Sequence, residues 1–186
     1  MFYIYNFLTN LLYPLLVLFI YVRKLKGKED PTRYKEKILS KFFHVNNPKS
    51  SKLIWFHAAS IGEMKSIIPI IIQLQRKKTN IKFLVTTITL SSANLFNEKM
   101  KNFRNIYHRF LPLDVGFLMK KFIKEWNPAA VFLVDSEIWP NLIINLKKKN
   151  IPIAIINARI TKKTFNKWMK IRNFSKELFS KFDLCL

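Results

Sequence analysis

From Lys52 onward, short uninterrupted apolar runs alternate with longer segments of helical periodicity, and few folds accommodate that pattern. Leu53–Ala58, Lys82–Thr87, Asn105–Phe110, Ala130–Val134 and Ile151–Ile156 read as strands, and Leu184–Leu186 begins a sixth. Between them, 64–78, 92–101, 115–126, 139–149 and 161–181 read as helices. A strand that is apolar throughout must be covered on both faces, which is the condition of a parallel sheet flanked by helices on each side. The expected fold class is therefore α/β, a Rossmann-like doubly wound parallel sheet spanning 52–186. In such sheets ligands sit at the carboxyl ends of the strands, so the residues just after each strand matter most.

The first 51 residues are of a different kind. Phe2 to Val22 carries no charged residue, and at ~1.5 Å per residue it makes a helix of about 31 Å, the hydrocarbon thickness of a bilayer. Tyr3, Tyr5 and Tyr21 lie near its ends, and Arg23, Lys24, Lys26 and Lys28 follow at once. Residues 1–22 are read as an N-terminal membrane-anchor helix in which Pro14 allows a kink, so that spanning and interfacial placements both stay open, with the rest of the chain on the cytoplasmic side of the inner membrane. A cleaved signal peptide fits less well, because the basic cluster follows the apolar run. A buried core helix is the plain alternative. Residues 23–51 are read as a basic amphipathic helix and a linker. Asp30 and Pro31 start that helix, Tyr34, Ile38 and Phe42 share one face, and 46–52 carries the turn residues of the linker.

Composition narrows the function classes. The chain has 186 residues, 49% of them hydrophobic, which excludes general disorder. Its 33 basic against 11 acidic residues leave a net charge of +22, pointing to a polyanionic partner, nucleic acid or anionic lipid. The single cysteine, Cys185, excludes an internal disulfide framework and a cysteine-based zinc site. Neither a dinucleotide fingerprint nor a Walker loop is present.

Against that basic background, three of the eleven acidic residues fall at predicted strand ends. Glu63 closes His57-Ala-Ala-Ser-Ile-Gly-Glu63, while Asp135 and Glu137 open Asp135-Ser-Glu-Ile-Trp-Pro-Asn141. Thr86-Thr87, Leu111-Pro-Leu-Asp114 and Asn157-Ala-Arg159 occupy the other ends. Each has a structural alternative. Ser60 and Glu63 match a capping box, Asp135 fits a helix cap, His57 a satisfied core histidine, and Asn157 with Arg159 a turn and a surface cation.

Taken together, these motifs, in this order after an apolar N-terminus, resemble the Kdo transferases of lipopolysaccharide synthesis. The resemblance implies transfer of 3-deoxy-D-manno-octulosonic acid from CMP-Kdo to the lipid A precursor, without metal or other cofactor. It implies the GT-B architecture, of which this chain is expected to be the acceptor-binding half, stopping short of the donor domain that a separate chain would then supply. Glu63 takes the place of the proposed general base and Glu137 that of a second carboxylate important for activity. Ser60, Gly62, Arg33, Thr87, Asp135, Asn141, Asn157 and Arg159 are the expected substrate-binding residues, with Arg33 and its basic neighbours meeting the acceptor phosphates. Two departures stand out: Asp135 replaces the family's usual glutamate, and Leu90-Ser-Ser92 replaces a glycine, so the Ser92 side chain is expected to obstruct close backbone approach. A non-catalytic remnant and a basic membrane- or RNA-binding module remain the alternatives, although no nucleic-acid motif is present and none is expected as a partner.

Overall fold

A computed structural model describes residues 1–44, 52–77 and 80–186. The expected linker at 46–52 lies almost wholly outside the described residues. The chain begins with two helices, α1 (Phe2–Leu11) and α2 (Tyr13–Leu25), followed by two short 3-10 turns at Arg33–Lys37 and Ser40–Phe42. Then come β1 (Leu53–His57), α3 (Ile61–Lys77), β2 (Lys82–Thr87), α4 (Leu90–Met100), β3 (Ile106–Phe110), α5 (Gly116–Trp126), β4 (Ala130–Val134), α6 (Pro140–Lys147), β5 (Ile153–Ile156), α7 (Lys162–Met169), α8 (Arg172–Phe179) and β6 (Leu184–Cys185).

All six strands run parallel in the order β3-β2-β1-β4-β5-β6. The chain winds outward from β1 in one direction, then returns to β4 and winds outward in the other. The point of reversal lies between β1 and β4. Each face of the sheet carries its own core, as uniformly apolar strands require. One core joins Phe56, Met64, Ile67, Phe83 and Phe96 under α3 and α4. The other joins Trp55, Leu84, Leu118, Phe122, Leu142 and Leu178 under α5, α6 and α8. The doubly wound expectation holds.

Three local expectations are corrected. The uncharged N-terminal stretch is not one straight helix. No single described helix is long and apolar enough to cross a membrane, and α1 and α2 meet at 56°. Pro14 lies at the junction; it donates no amide hydrogen bond and its ring crowds the carbonyl four residues back. The segment after Asp30 is 3-10 rather than α-helical, although Asp30 does cap it, accepting the amides of Thr32 (2.9 Å) and Arg33 (2.7 Å). Its groups are claimed by the sheet edge: the Lys37 carbonyl accepts from Leu113 N (2.9 Å) and the Glu36 carboxylate from Phe110 N (2.9 Å). Tyr34 and Ile38 are buried as the pattern implied, but Phe42 is exposed. The last long helix divides into α7 and α8. Trp168 and Phe174 are six residues apart and out of phase on one continuous helix; the break lets both reach the core.

Candidate functional site

The ends of β1 and β4 flank the reversal point, where an open α/β sheet leaves a crevice. Both carry acidic loops. After β1, Ser60 immediately precedes α3 and Glu63 occupies its first turn. Glu63 accepts the Ala59 amide at 2.7 Å and the Ser60 hydroxyl at 2.7 Å, while the Ser60 oxygen faces Glu63 N at 3.3 Å. This is a capping box shifted by one amide, and it fixes the Glu63 carboxylate at a positive helix end. Gly62 is exposed beside it; a β-carbon there would meet only Ser60 Oγ, at 3.9 Å.

After β4, Glu137 Oε2 lies 2.8 Å from Trp139 Nε1 and 3.3 Å from Nε2 of His57, the last residue of β1. His57 is fully buried, and its Nδ1 stands 2.9 Å from Thr86 Oγ1, which also receives Trp55 Nε1 at 2.8 Å. Nδ1 also faces the Thr86 carbonyl at 3.2 Å, so one ring nitrogen is held by Thr86 and the other by the Glu137 carboxylate. The row Trp55–Thr86–His57–Glu137 thus runs from the buried sheet to the rim. Sequence reasoning read His57 as a satisfied core histidine. It is buried as that reading implied, but it also orients a rim carboxylate across the crevice.

Asp135 takes a left-handed backbone conformation, φ 60°, as does Asn157, φ 55°. Aspartate and asparagine tolerate this region better than most side chains, which gives the aspartate at 135 a structural reason. Asp135 and Arg159 line a cavity of about 430 Å³ with Ile138, Trp168 and Phe179. The two loops are tied by the Ser136 hydroxyl, which donates to the Arg159 carbonyl at 2.5 Å. Glu63 and Glu137 do not line this mostly apolar cavity, which lies toward β6, whereas they follow β1 and β4. Asn157 is exposed on the loop after β5.

Three predicted substrate contacts are engaged elsewhere. Arg33 pairs with Glu36 (2.8 Å) and its guanidinium donates to His108 Nδ1 (2.9 Å) and the His108 carbonyl (3.1 Å). Thr87 is fully buried and its hydroxyl meets His108 Nε2 at 2.9 Å. Asn141 is buried and donates to the Asp114 carbonyl (2.6 Å) and to Thr9 Oγ1 (3.0 Å). These side chains knit the N-terminal segment to the sheet. Asn141 is reached by Thr9, Arg33 lies in the N-terminal segment and meets His108, and Thr87 holds the other side of His108; the sequence did not reveal this docking. Ser92 is also internal. Its hydroxyl donates to the Ala59 carbonyl at 3.1 Å, tying α4 to the loop before Glu63 rather than obstructing the crevice.

Asp114, absent from the predicted site, is a buried carboxylate at the same edge. It accepts from Asn141 N (3.0 Å), Leu142 N (2.9 Å) and the Tyr5 hydroxyl (3.0 Å). Burial pushes its carboxyl up to about 6, against the pull of those donors. Among the described residues no group of three His, Cys, Asp or Glu side chains is arranged to hold a metal ion.

The family model for 3-deoxy-D-manno-octulosonic-acid transferases matches residues 33–186. A probable mitochondrial 3-deoxy-D-manno-octulosonic acid transferase of Arabidopsis thaliana is 35% identical over 167 residues, covering 89% of this chain and 36% of its own length. The 3-deoxy-D-manno-octulosonic acid transferase of Rickettsia bellii is 33% identical over 181 residues, covering 96% of this chain and 41% of its own. This chain therefore spans about two fifths of the length of such relatives. A crystal structure of a UDP-N-acetylglucosamine 2-epimerase shares the fold, with a TM-score of 0.51 at 11% identity over 74% of this chain and 42% of that one. The strand order, the acidic rim beside the reversal point and the match over 33–186 converge: this chain belongs to the 3-deoxy-D-manno-octulosonic-acid transferase family.

Proposed function

We propose that this chain forms the acceptor-side domain of a glycosyltransferase that moves Kdo from CMP-Kdo to the lipid A precursor at the cytoplasmic face of the inner membrane. Glu63 is the general base. It takes the proton of an acceptor sugar hydroxyl as that oxygen attacks the anomeric carbon and CMP departs. Its two present bonds come from short-range donors and leave lone pairs on both oxygens for a substrate hydroxyl. Glu137, held through one oxygen by His57 and Trp139, accepts a sugar hydroxyl with the other. A second Rossmann-like domain, supplied by chain beyond these residues or by a partner, carries the nucleotide and closes the crevice.

The observation that carries this reading is the placement of two acidic loops on the adjacent strands that flank the reversal point. Its test combines this chain with the carboxy-terminal part of the Rickettsia bellii transferase in membranes supplied with CMP-Kdo and the acylated, phosphorylated glucosamine disaccharide. Transfer that disappears in Glu63→Gln is expected. Binding of the disaccharide by this chain alone in detergent is expected too, and a chain that neither binds it nor supports transfer would overturn the assignment.

A further inference from the structure

The first helix is docked on the sheet domain, and the second is held at Tyr13 by that domain and beyond it by the 29–38 segment. The Phe2 ring packs on Phe174 with centroids 4.8 Å apart, and Tyr5 donates to Asp114. Asn6 sits so close over Gly116 that a β-carbon there would fall 1.8 Å from its Oδ1. Thr9 receives Asn141, Tyr13 stacks edge-on against Phe117 at 5.0 Å, Ile20 is buried with Tyr34 and Ile38, and Arg23 pairs with Glu29 at 2.6 Å. A helix crossing ~30 Å of hydrocarbon needs ~20 residues clear of the domain. Here no stretch of that length is clear, and the axes diverge by 56°. Straightening the pair into a span would strip the buried Asp114 of its phenol and Asn141 of its hydroxyl partner, leaving polar groups unmatched.

The opposite side of the pair is exposed, with the Arg23 guanidinium over the Phe19 ring at 5.7 Å. Phe7 (64% exposed), Leu11 (63%), Leu15 (63%), Leu18 (59%) and Phe19 (56%) form one apolar face over both helices. A continuous apolar surface on a soluble monomer marks a place of association. The charges around it select the occupant. Lys24, Lys26 and Lys28 end α2, and Lys120 and Lys148 border a cavity of about 630 Å³ along the flank of α1, with Asn10 and Tyr3 on its α1 side. Cations bordering an apolar face complement an anionic headgroup layer, each contributing ~1 kcal/mol near such a surface.

We infer that α1 and α2 form an in-plane anchor lying flat in one leaflet of an anionic bilayer, with the Phe7–Phe19 face in hydrocarbon and the opposite flank holding the sheet domain. This inference stands apart from the sugar-transfer reading, because it concerns where the chain sits and not what it turns over. The two can fail separately.

The test uses the full chain in membrane vesicles whose cytoplasmic face is outward, probed with a membrane-impermeant maleimide. Cys185, exposed on the sheet domain, reports that the domain side is reached. Asn10→Cys, on the docked flank, is expected to react from that side without detergent, while Leu15→Cys reacts only after solubilisation. A span puts both positions within the bilayer, so protection of Asn10→Cys overturns the inference. Reaction of Leu15→Cys in intact vesicles overturns it as well, since the apolar face would then be in water. Independently, Leu11→Glu with Leu15→Glu is expected to lower binding to phosphatidylcholine–phosphatidylglycerol vesicles at least tenfold with unchanged circular dichroism. Undiminished binding would mean that another surface meets the lipid.

Discussion

The imidazole of His57 reaches across from the end of β1 to Glu137 beyond β4, Nε2 to Oε2 at 3.3 Å, and so ties together the two loops that border the crevice. The ring is held from behind by the Thr86 hydroxyl and carbonyl, and the hydroxyl in turn accepts from Trp55. Thr86→Val removes the hydroxyl, leaving the Trp55 N–H without its buried partner and His57 Nδ1 with only the Thr86 carbonyl at 3.2 Å. A loss of about 2 kcal/mol in urea unfolding is expected. Sugar transfer in the reconstituted system should also fall, and Thr86→Ser should restore it. A Thr86→Val protein with full stability would show that the row is assigned wrongly.

The capping contacts of Glu63 and its proposed role as general base are separable by substitution. Glu63→Gln keeps an acceptor for the Ala59 amide but cannot take a proton, so transfer should drop by ~10²-fold or more while the melting temperature changes little. Ser60→Ala removes both hydroxyl contacts with Glu63 and should cost about 1 kcal/mol with a much smaller effect on transfer. Equal losses of activity in the two variants would reduce Glu63 to a helix cap.

Two buried groups give opposite pH dependences. Asp114 is raised by burial from 3.8 to about 6, so its folded form holds a proton that the unfolded chain has released; its stabilisation is full below about 3.8 and is lost as pH rises toward 6. His108 is lowered from 6.5 to about 3 by burial, then by the charges of Arg33 and Arg109, so its stabilisation is full above 6.5 and is lost as pH falls. Between about pH 4 and 6 the slopes oppose. Asp114→Asn should therefore make stability fall more steeply on acidification, and His108→Gln should make it fall less. Chemical denaturation at a series of pH values reads both, and identical pH profiles in the two variants would contradict the assignment.

Lys37 is buried against Glu29, with its ammonium also donating to the Ile88 carbonyl at 2.8 Å. Burial draws its pKa down and the Glu29 carboxylate partly restores it. Removing that carboxylate leaves an uncompensated cation, so Glu29→Gln should cost about 3–5 kcal/mol. Lys37→Met should cost less, because Arg23 still pairs with Glu29. Shifts in the urea midpoint measure the order of the two.

Much of the fold was legible because the strands here are apolar on both sides. β2 and β4 run over the residues their composition implied, Lys82–Thr87 and Ala130–Val134, and the rim carboxylates follow from strand order. What composition did not carry was the fate of residues 1–44. Hydropathy registers Phe2–Val22 as uncharged, yet Tyr5, Asn6 and Thr9 recur at helical spacing, and this thin polar stripe docks α1 on the domain. Arg33, Thr87 and Asn141 were assigned to substrate for the same reason: their partners His108, Asp114 and Thr9 are remote in sequence, and long-range pairing leaves no periodic trace. His57 was misjudged only in part, since burial and an orienting role are compatible.

The Tyr5–Asp114 bond ties the first helix to the loop that follows β3, on the side of the sheet toward which every strand points and which also bears Glu63 and Glu137. Whatever plane that helix occupies, the carboxylates stand at a fixed height from it. On the proposed reading, an acceptor confined to a leaflet would be found by a search in two dimensions rather than three, its headgroup arriving by lateral diffusion with its acyl chains still in hydrocarbon.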